Sequence, residues 1–206
     1  MLFHKDNYEQ FYGATSDHSY GPPGALVERI PFELSSGSVL DLGAGDGRHS
    51  IFLAEKGFTV KATDLSEAAL EKLQRIAKQK GVSVTTELAD LATWRIDADY
   101  DVVIAVQIFQ HLQTADALRV LHELKEHTRP GGLNLISLFT CTGDRYQMDR
   151  ELDPGAFYPE DGWLKQFYAG WTVIEHVSHR GELNGPRNPD GSAKTSVVER
   201  ILAEKI

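Results

Sequence analysis

The chain has 206 residues, and its 21 Lys and Arg against 30 Asp and Glu give a formal net charge of −9 at pH 7. This length suffices for one α/β domain over residues 1–206, and the acidic balance argues against nucleic acids and anionic membranes as partners. One cysteine excludes an intrachain disulfide, and no apolar run resembles a secretory signal or a membrane span, so we expect a cytoplasmic protein.

Residues 1–37 are expected to form a polar and aromatic segment outside the sheet, with a Pro-Gly turn at 21–24 and a short helix at about 25–30. Two interpretations stay open. The segment is either a cap over one edge of the core or a lid that closes over a bound ligand. The ring-bearing side chains that suggest a lid are Tyr8, Phe11, Tyr12, His18 and Tyr20.

A glycine-rich turn follows the first predicted strand, β1 at about 38–42. The sequence there is VLDLGAGDGR, in which the turn runs through Gly43, Gly45 and Gly47 before a helix at about 47–56. Strand, glycine turn and helix in this order open a nucleotide-binding βαβ unit. Glycines allow a sharp bend and the close approach of a ligand to the backbone.

The residues around this turn favour S-adenosylmethionine (SAM) over a dinucleotide. Arg48 stands where the dinucleotide fingerprint has its third glycine, and Asp41 and Asp46 flank the turn. A pyrophosphate would meet like charge there, whereas SAM has no phosphate and carries a sulfonium and an ammonium. We therefore predict that the cofactor contacts Asp41, Gly43, Ala44, Gly45 and Arg48.

Acids follow the next two predicted strands. β2, at about 58–63, ends in Asp64 and Leu65, where the carboxylate would accept the hydroxyl protons of a ribose. A helix at about 67–79, capped by Ser66, leads to β3 at about 82–88. Asp90 and Leu91 come next, so that the acid can bind an adenine amino group and the leucine can pack on the ring.

Polar residues also follow β4, a continuous apolar run at about 102–106 that is typical of a buried parallel strand. Ligands of open α/β sheets lie beyond the carboxyl ends of the strands. Val106, Gln107, Gln110 and His111 are therefore expected to face the cofactor or the substrate. For His111, a helix-surface or capping role stays equally open.

The remaining chain is predicted as a helix at 115–128, β5 at 133–139, an irregular stretch at 140–158, a helix at 159–168 and a hairpin of β6 (171–179) and β7 (195–203). The stretch at 140–158 begins at the carboxyl end of β5, so we expect it to form one wall of the substrate pocket. Cys141 within it is interpreted as a small buried residue rather than a reactive thiol. A terminal antiparallel hairpin is atypical of dinucleotide folds.

These segments together resemble class I SAM-dependent methyltransferases. The resemblance rests on the segments 39–47, 62–65, 89–91, 100–104 and 129–132. It implies a Rossmann-like fold, with a mostly parallel seven-stranded sheet flanked by helices and ending in an antiparallel hairpin. It also implies SAM as the cofactor and methyl transfer as the reaction.

A closer resemblance is to the TehB-like tellurite-resistance methyltransferases, carried by residues 47–53, 129–136, 168–171 and the Gly-Glu-Leu at 181–183. It implies that the methyl acceptor is a metalloid oxyanion such as tellurite or selenite. That family has a His-Arg pair after Gly-Glu-Leu, which the resemblance associates with the oxyanion. Here Asn184 holds the histidine's position, and the arginine is displaced to Arg187.

The predicted function is methyl transfer to a small molecule by a monomer or homodimer, with no metal site. If the acceptor needs a base, His111 or His18 would supply it; if it is an anion, Arg145, Arg180 and Arg187 would hold it. The alternatives are a thiol, phenol or amine acceptor and a non-catalytic SAM-binding module. An NAD-binding oxidoreductase is disfavoured by Asp41, Arg48 and the hairpin.

Overall fold

A seven-stranded mixed sheet forms the centre of the computed structural model, which describes residues 5–14 and 21–206. Its strands are β1 (Ser38–Leu42), β2 (Thr59–Asp64), β3 (Val84–Leu88), β4 (Tyr100–Val106), β5 (Thr128–Phe139), β6 (Thr172–Arg187) and β7 (Ala193–Glu204). The order across the sheet is β3-β2-β1-β4-β5-β7-β6. The first five strands are parallel, and β7 runs antiparallel to both β5 and β6.

Helices cover both faces of the sheet. They are α1 (Lys5–Ala14), α2 (Ala25–Glu33), α3 (Arg48–Glu55), α4 (Glu67–Gln79), α5 (Thr114–Glu126), α6 (Asp144–Leu152) and α7 (Trp163–Phe167), with a 3-10 turn at Phe109–His111. Among the described residues, no helix is both long and apolar enough to cross a lipid bilayer.

The central strands are buried on both faces, which explains their uninterrupted apolar sequence. Leu40 of β1 and Val103 of β4 pack with α5, α7 and the fully buried Tyr168 in one core. Val39 and Val102, their neighbours in sequence, point the opposite way and pack with α2 and α3 in another. Side chains of a strand alternate between the two faces, so both sets must be apolar in a covered parallel sheet.

The sheet and its terminal hairpin confirm the predicted fold class, with three differences in extent. β5 begins at Thr128, because this residue pairs with Tyr100 before an irregularity shifts the register to Leu133 opposite Val102. The hairpin strands extend to Arg187 and from Ala193, so residues 180–187 and 193–194, which were predicted to lie between the strands, belong to β6 and β7. The helix expected at 159–168 comprises only Trp163–Phe167.

The stretch 140–158 was predicted to be irregular, and this prediction was wrong because the stretch contains α6. None of the residues of α6 is fully buried, so its sequence lacks the apolar stripe by which a helix is predicted. The helix is fixed at its start instead. The Asp144 carboxylate accepts hydrogen bonds from the backbone N–H (2.8 Å) and the hydroxyl (3.1 Å) of Thr195 on β7.

Candidate functional site

A cavity of about 440 Å³ lies at the carboxyl ends of β1 to β5. Most of the residues predicted to bind the cofactor line it: Gly43, Ala44, Gly45, Arg48, Asp64, Leu65, Asp90, Leu91, Val106 and Gln107. Of the residues predicted to act on the acceptor, His111 and Arg145 line it as well. The parallel strands thus bring five separate parts of the sequence to one edge of the sheet.

The glycine turn packs closely against two other parts of the chain. Gly43 and Gly45 have φ of +63° and +56°, a left-handed backbone conformation that L side chains rarely adopt. A Cβ on Gly43 would collide with the Ile108 side chain, and one on Gly45 with the Tyr12 hydroxyl. Both positions therefore need glycine for backbone and for packing reasons.

Asp64 joins the end of β2 to the glycine turn. Its carboxylate accepts the Gly45 N–H (2.8 Å) and the Ser66 N–H (2.9 Å), while the side chain also lines the cavity. Burial raises the pKa of the Asp64 carboxyl, although the two backbone N–H donors oppose this shift. A donor group on a bound molecule, such as a ribose hydroxyl, would stabilise the carboxylate further.

Asp41 precedes the glycine turn and Asp46 lies within it, and the contacts of both acids differ from those of Asp64. Asp41 is buried, does not line the cavity, and accepts a 2.7 Å hydrogen bond from the Ser50 hydroxyl. Its burial raises the pKa of this carboxyl to about 7. Asp46 lines the cavity and forms a buried ion pair with Lys72 of α4, 3.0 Å apart. Direct contact of Asp41 with a cofactor therefore has no support in the geometry.

Gln107 holds an unusual backbone conformation directly after β4. Its φ is +56°, which makes it the non-glycine residue with positive φ in the described part of the chain. Its N–H donates to the Ser137 carbonyl of β5 (2.7 Å), and its carbonyl accepts from the Gln110 side chain (2.5 Å). Such strained residues cluster at ligand sites, where the surroundings hold them in place.

His111 lies at the part of the cavity next to β5. Its Nε2 atom is 2.8 Å from both the Tyr8 hydroxyl and the Gln110 side-chain nitrogen. Burial, reinforced by the Arg145 charge, lowers the pKa of His111 to about 4. The imidazole is therefore neutral at pH 7, so it can form hydrogen bonds there but is a weak base.

Helix α1 forms one wall of the cavity. Tyr8 and Tyr12 line it, and the Glu9 carboxylate accepts the N–H groups of Glu67 (2.7 Å) and Ala68 (3.0 Å) at the start of α4. This contact places the predicted aromatic segment over the glycine turn. His18 and Tyr20, which belonged to the same prediction, lie outside the described residues.

The three candidate arginines lie in different places. Arg145 of α6 lines the cavity, where its guanidinium carbon lies 4.2 Å from the centre of the Phe139 ring. Arg180 and Arg187 lie on the exposed hairpin and do not line the cavity. Arg187 donates a hydrogen bond to the Gly191 carbonyl across the turn (3.1 Å), which is a contact within the hairpin.

Five further lining residues were not predicted: His49, Ala89, Ile108, Leu112 and Phe139. Their position along the chain gives a signal for three of them. Phe139 is the last residue of β5, and Ala89 and Ile108 follow β3 and β4, so the rule that ligands lie beyond strand ends would have included all three. His49 and Leu112 reach the cavity through tertiary packing, for which the sequence carries no pattern.

Solved structures of methyltransferases superpose on this chain. The crystal structure of TehB from Haemophilus influenzae superposes with a TM-score of 0.75 at 26% identity, covering 98% of this chain and 67% of that one. The N-methyltransferase NodS from Bradyrhizobium japonicum WM9, solved with S-adenosylhomocysteine (SAH), has a TM-score of 0.68 at 14% identity, with 97% of each chain covered. The fold is that of the class I methyltransferases.

The sequence comparisons show the family. The model described as "Tellurite resistance protein TehB" matches residues 2–193, so the chain belongs to the TehB family. A relative from Haemophilus influenzae strain Rd, named probable S-adenosyl-L-methionine-dependent methyltransferase TehB, is 29% identical over 180 residues. The match covers 87% of this chain but 59% of that relative, so the chain spans about three fifths of its length.

Proposed function

We propose that the chain is a SAM-dependent methyltransferase that acts on a small molecule. The observation that carries the proposal is the cavity in which the glycine turn, Asp64 and Asp90 meet beyond β1, β2 and β3. Its acids suit a ligand with a sulfonium and an ammonium, and its glycines admit a ligand close to the backbone. The TehB family membership and the names of the relatives support the same reading.

The proposed roles divide the cavity into two parts. Gly43 to Gly45, Arg48, Asp64, Leu65, Asp90, Leu91, Val106 and Gln107 would hold the cofactor. When bound, SAM supplies a methyl group whose bond to sulfur breaks as the acceptor's lone pair attacks the carbon, and the bonding electrons stay on sulfur. The residues of the chain have to align the acceptor with the methyl group. Correct positioning of two reactants alone lowers such a barrier by about 7 kcal/mol or more.

The acceptor would occupy the part of the cavity at His111 and Arg145. Because His111 is neutral at pH 7, it is suited to orient an acceptor that is already a nucleophile rather than to deprotonate an alcohol. Tellurite and selenite are the first acceptors to test, since the family description names tellurite resistance. Small thiols, phenols and amines come second.

The test is turnover with methyl-labelled SAM across these acceptors, with mass spectrometry of the solution and the headspace. Label transferred to tellurium or selenium would support the metalloid acceptor, and label on a thiol, phenol or amine would replace it. In parallel, the Asp64→Asn variant should bind SAH at least tenfold more weakly than wild type. The matched control is Asp97→Asn, because Asp97 pairs with Lys61 outside the cavity. If neither the wild type nor the Asp97→Asn control binds SAH, the proposal is refuted.

A further inference from the structure

The charges that line the cavity are arranged by strand. The sheet order β3-β2-β1-β4-β5 places Asp90 and Asp64 at one end of the cavity, beyond β3 and β2. Arg145 reaches the opposite end, beside Phe139 at the end of β5. Asp64 and Asp90 thus lie at the proposed cofactor end together with Arg48 of α3, and the Arg145 guanidinium faces the proposed acceptor end.

The Arg145 guanidinium is held in place by contacts with Phe139 and Asp149. Its central carbon lies over the Phe139 ring, 4.2 Å from the ring centre. Its Nε donates to the Asp149 carboxylate one helical turn later, at 3.2 Å. Asp149 in turn accepts a hydrogen bond from the Tyr158 hydroxyl. The contact with Asp149 uses one donor of the guanidinium, and this group has five in a planar fork.

The cavity around this fork combines apolar and aromatic side chains with the polar Gln110 and His111. Leu112, with 9% of its surface exposed, lines the cavity together with Phe139. Tyr158 itself lines a second cavity of about 310 Å³, whose walls include Tyr146, Phe157 and Trp163 besides the charged Arg150 and Asp153. A planar carboxylate on an organic body suits a stacked guanidinium with apolar neighbours, because the fork binds carboxylates with two parallel hydrogen bonds.

We infer that Arg145 is a specificity-determining residue that binds a carboxylate group of an organic methyl acceptor, with Asp149 and Tyr158 as positioning residues. The inference rests on the proposed function, since it assigns the acceptor of that same site. The carboxylate is a handle for binding and is separate from the atom that receives the methyl group. The hairpin arginines, Arg180 and Arg187, take no part in this recognition.

The experiment compares charged and neutral ligands of equal shape on the SAH-loaded protein. Benzoate and phenylacetate are titrated against benzamide and phenylacetamide, with selenite as a free oxyanion. Wild type should bind at least one carboxylate at least tenfold more tightly than its amide. Arg145→Gln should remove this preference while leaving SAH affinity unchanged, and Arg145→Lys should restore part of it.

Further variants separate positioning from a purely structural role. Asp149→Asn and Tyr158→Phe should each weaken carboxylate binding several-fold without altering amide binding. Arg180→Gln and Arg187→Gln are the matched controls, and both should retain the full preference. Loss of the preference in a hairpin variant but not in Arg145→Gln would overturn the inference.

Two other results would also overturn it: no carboxylate bound by wild type, or binding of selenite alone. These failures are distinguishable from failure of the proposed function. A protein that does not bind SAH refutes the proposed cofactor, whereas a protein that binds SAH but is indifferent to the charge of the second ligand refutes only the assignment of Arg145.

Discussion

Gly45 is the residue at which the glycine turn meets the aromatic side chains of α1. Replacement by alanine would strain the backbone, whose φ is +56°, and would push its Cβ into the Tyr12 hydroxyl. We expect Gly45→Ala to weaken SAH binding at least tenfold in calorimetric titration, because Tyr12 must then leave its place in the cavity wall.

Gly57→Ala is the matched control for this substitution. Gly57 has a φ of +91°, but a Cβ there would have no heavy atom of the described residues within 4 Å. Both variants should lose about 1 kcal/mol of folding stability from the backbone conformation. Equal SAH affinities in the two variants would show that the contact with Tyr12 is unimportant for binding.

The ionisation of Asp41 makes the folding stability of the protein depend on pH. Burial raises the pKa of its carboxyl from 3.8 to about 7, so the folded state favours the protonated form. The contribution of this group to stability is therefore complete below about pH 4 and is lost as the pH rises through 7. Asp41→Asn stays neutral throughout, so the variant should gain stability relative to wild type between pH 5 and pH 8.

The expected gain over that interval is about 2–3 kcal/mol, since each pKa unit corresponds to about 1.4 kcal/mol. Urea unfolding at pH 5 and pH 8 measures it. Asp161→Asn is the control, because Asp161 is exposed to solvent and should show no comparable change. A difference between Asp41→Asn and wild type that does not vary with pH would mean that Asp41 is ionised in the folded protein.

At the scale of elements, the Glu9 side chain links α1 to the start of α4. The Glu9 carboxylate binds the first two N–H groups of α4, which have no partner within that helix. Glu9→Gln removes the charge, at a cost of about 1 kcal/mol for such a contact. Since α1 supplies Tyr8 and Tyr12 to the cavity, SAH affinity should fall about three- to tenfold.

Calorimetric titration with SAH measures this effect, and Glu28→Gln is its control. Glu28 is an exposed acid on the neighbouring α2, so its substitution removes the same charge without loosening α1. Wild-type affinity in Glu9→Gln would show that α1 keeps its place through its tyrosines alone.

The elements also show what the sequence could and could not predict. β1, β4 and the second half of β5 were predictable because a covered parallel strand is apolar throughout, and the helices α3, α4 and α5 because a helix on a sheet has one apolar stripe. α6 has no such stripe and is held by a contact of Asp144 with Thr195, 51 residues away. Periodicity reports only local burial, so an element fixed by a distant polar contact leaves no pattern in its own segment.

The same limit applies to the candidate site. The lining of the proposed cofactor end was predictable because most of its residues lie at or just beyond the ends of strands, and the ends of parallel strands meet at one edge. The acceptor end was not, since the sequence alone placed Arg145, Arg180 and Arg187 on equal terms. Only the path of the hairpin separates them: it carries Arg180 and Arg187 on strands that do not line the cavity.

At the scale of the whole molecule, a buried carboxylate joins the last elements of the chain. Glu199 of β7 has no exposed surface and accepts hydrogen bonds from the N–H groups of Gly162 (2.6 Å) and Leu164 (3.2 Å) at the start of α7. It also pairs with His176 of the edge strand β6, 3.0 Å away. One side chain thus ties a helix and two strands together, far from the cofactor end of the cavity.

Truncation of this side chain should therefore affect stability and spare cofactor binding. Glu199→Ala leaves buried N–H donors without a partner, which should cost about 3 kcal/mol and lower the melting temperature by roughly 6–12 °C. Glu199→Gln keeps an acceptor for one of the donors and should cost less. SAH affinity at 20 °C should equal that of wild type in both variants. A loss of SAH affinity in Glu199→Gln would show instead that the hairpin and the cavity are coupled, because this variant keeps the shape of the side chain.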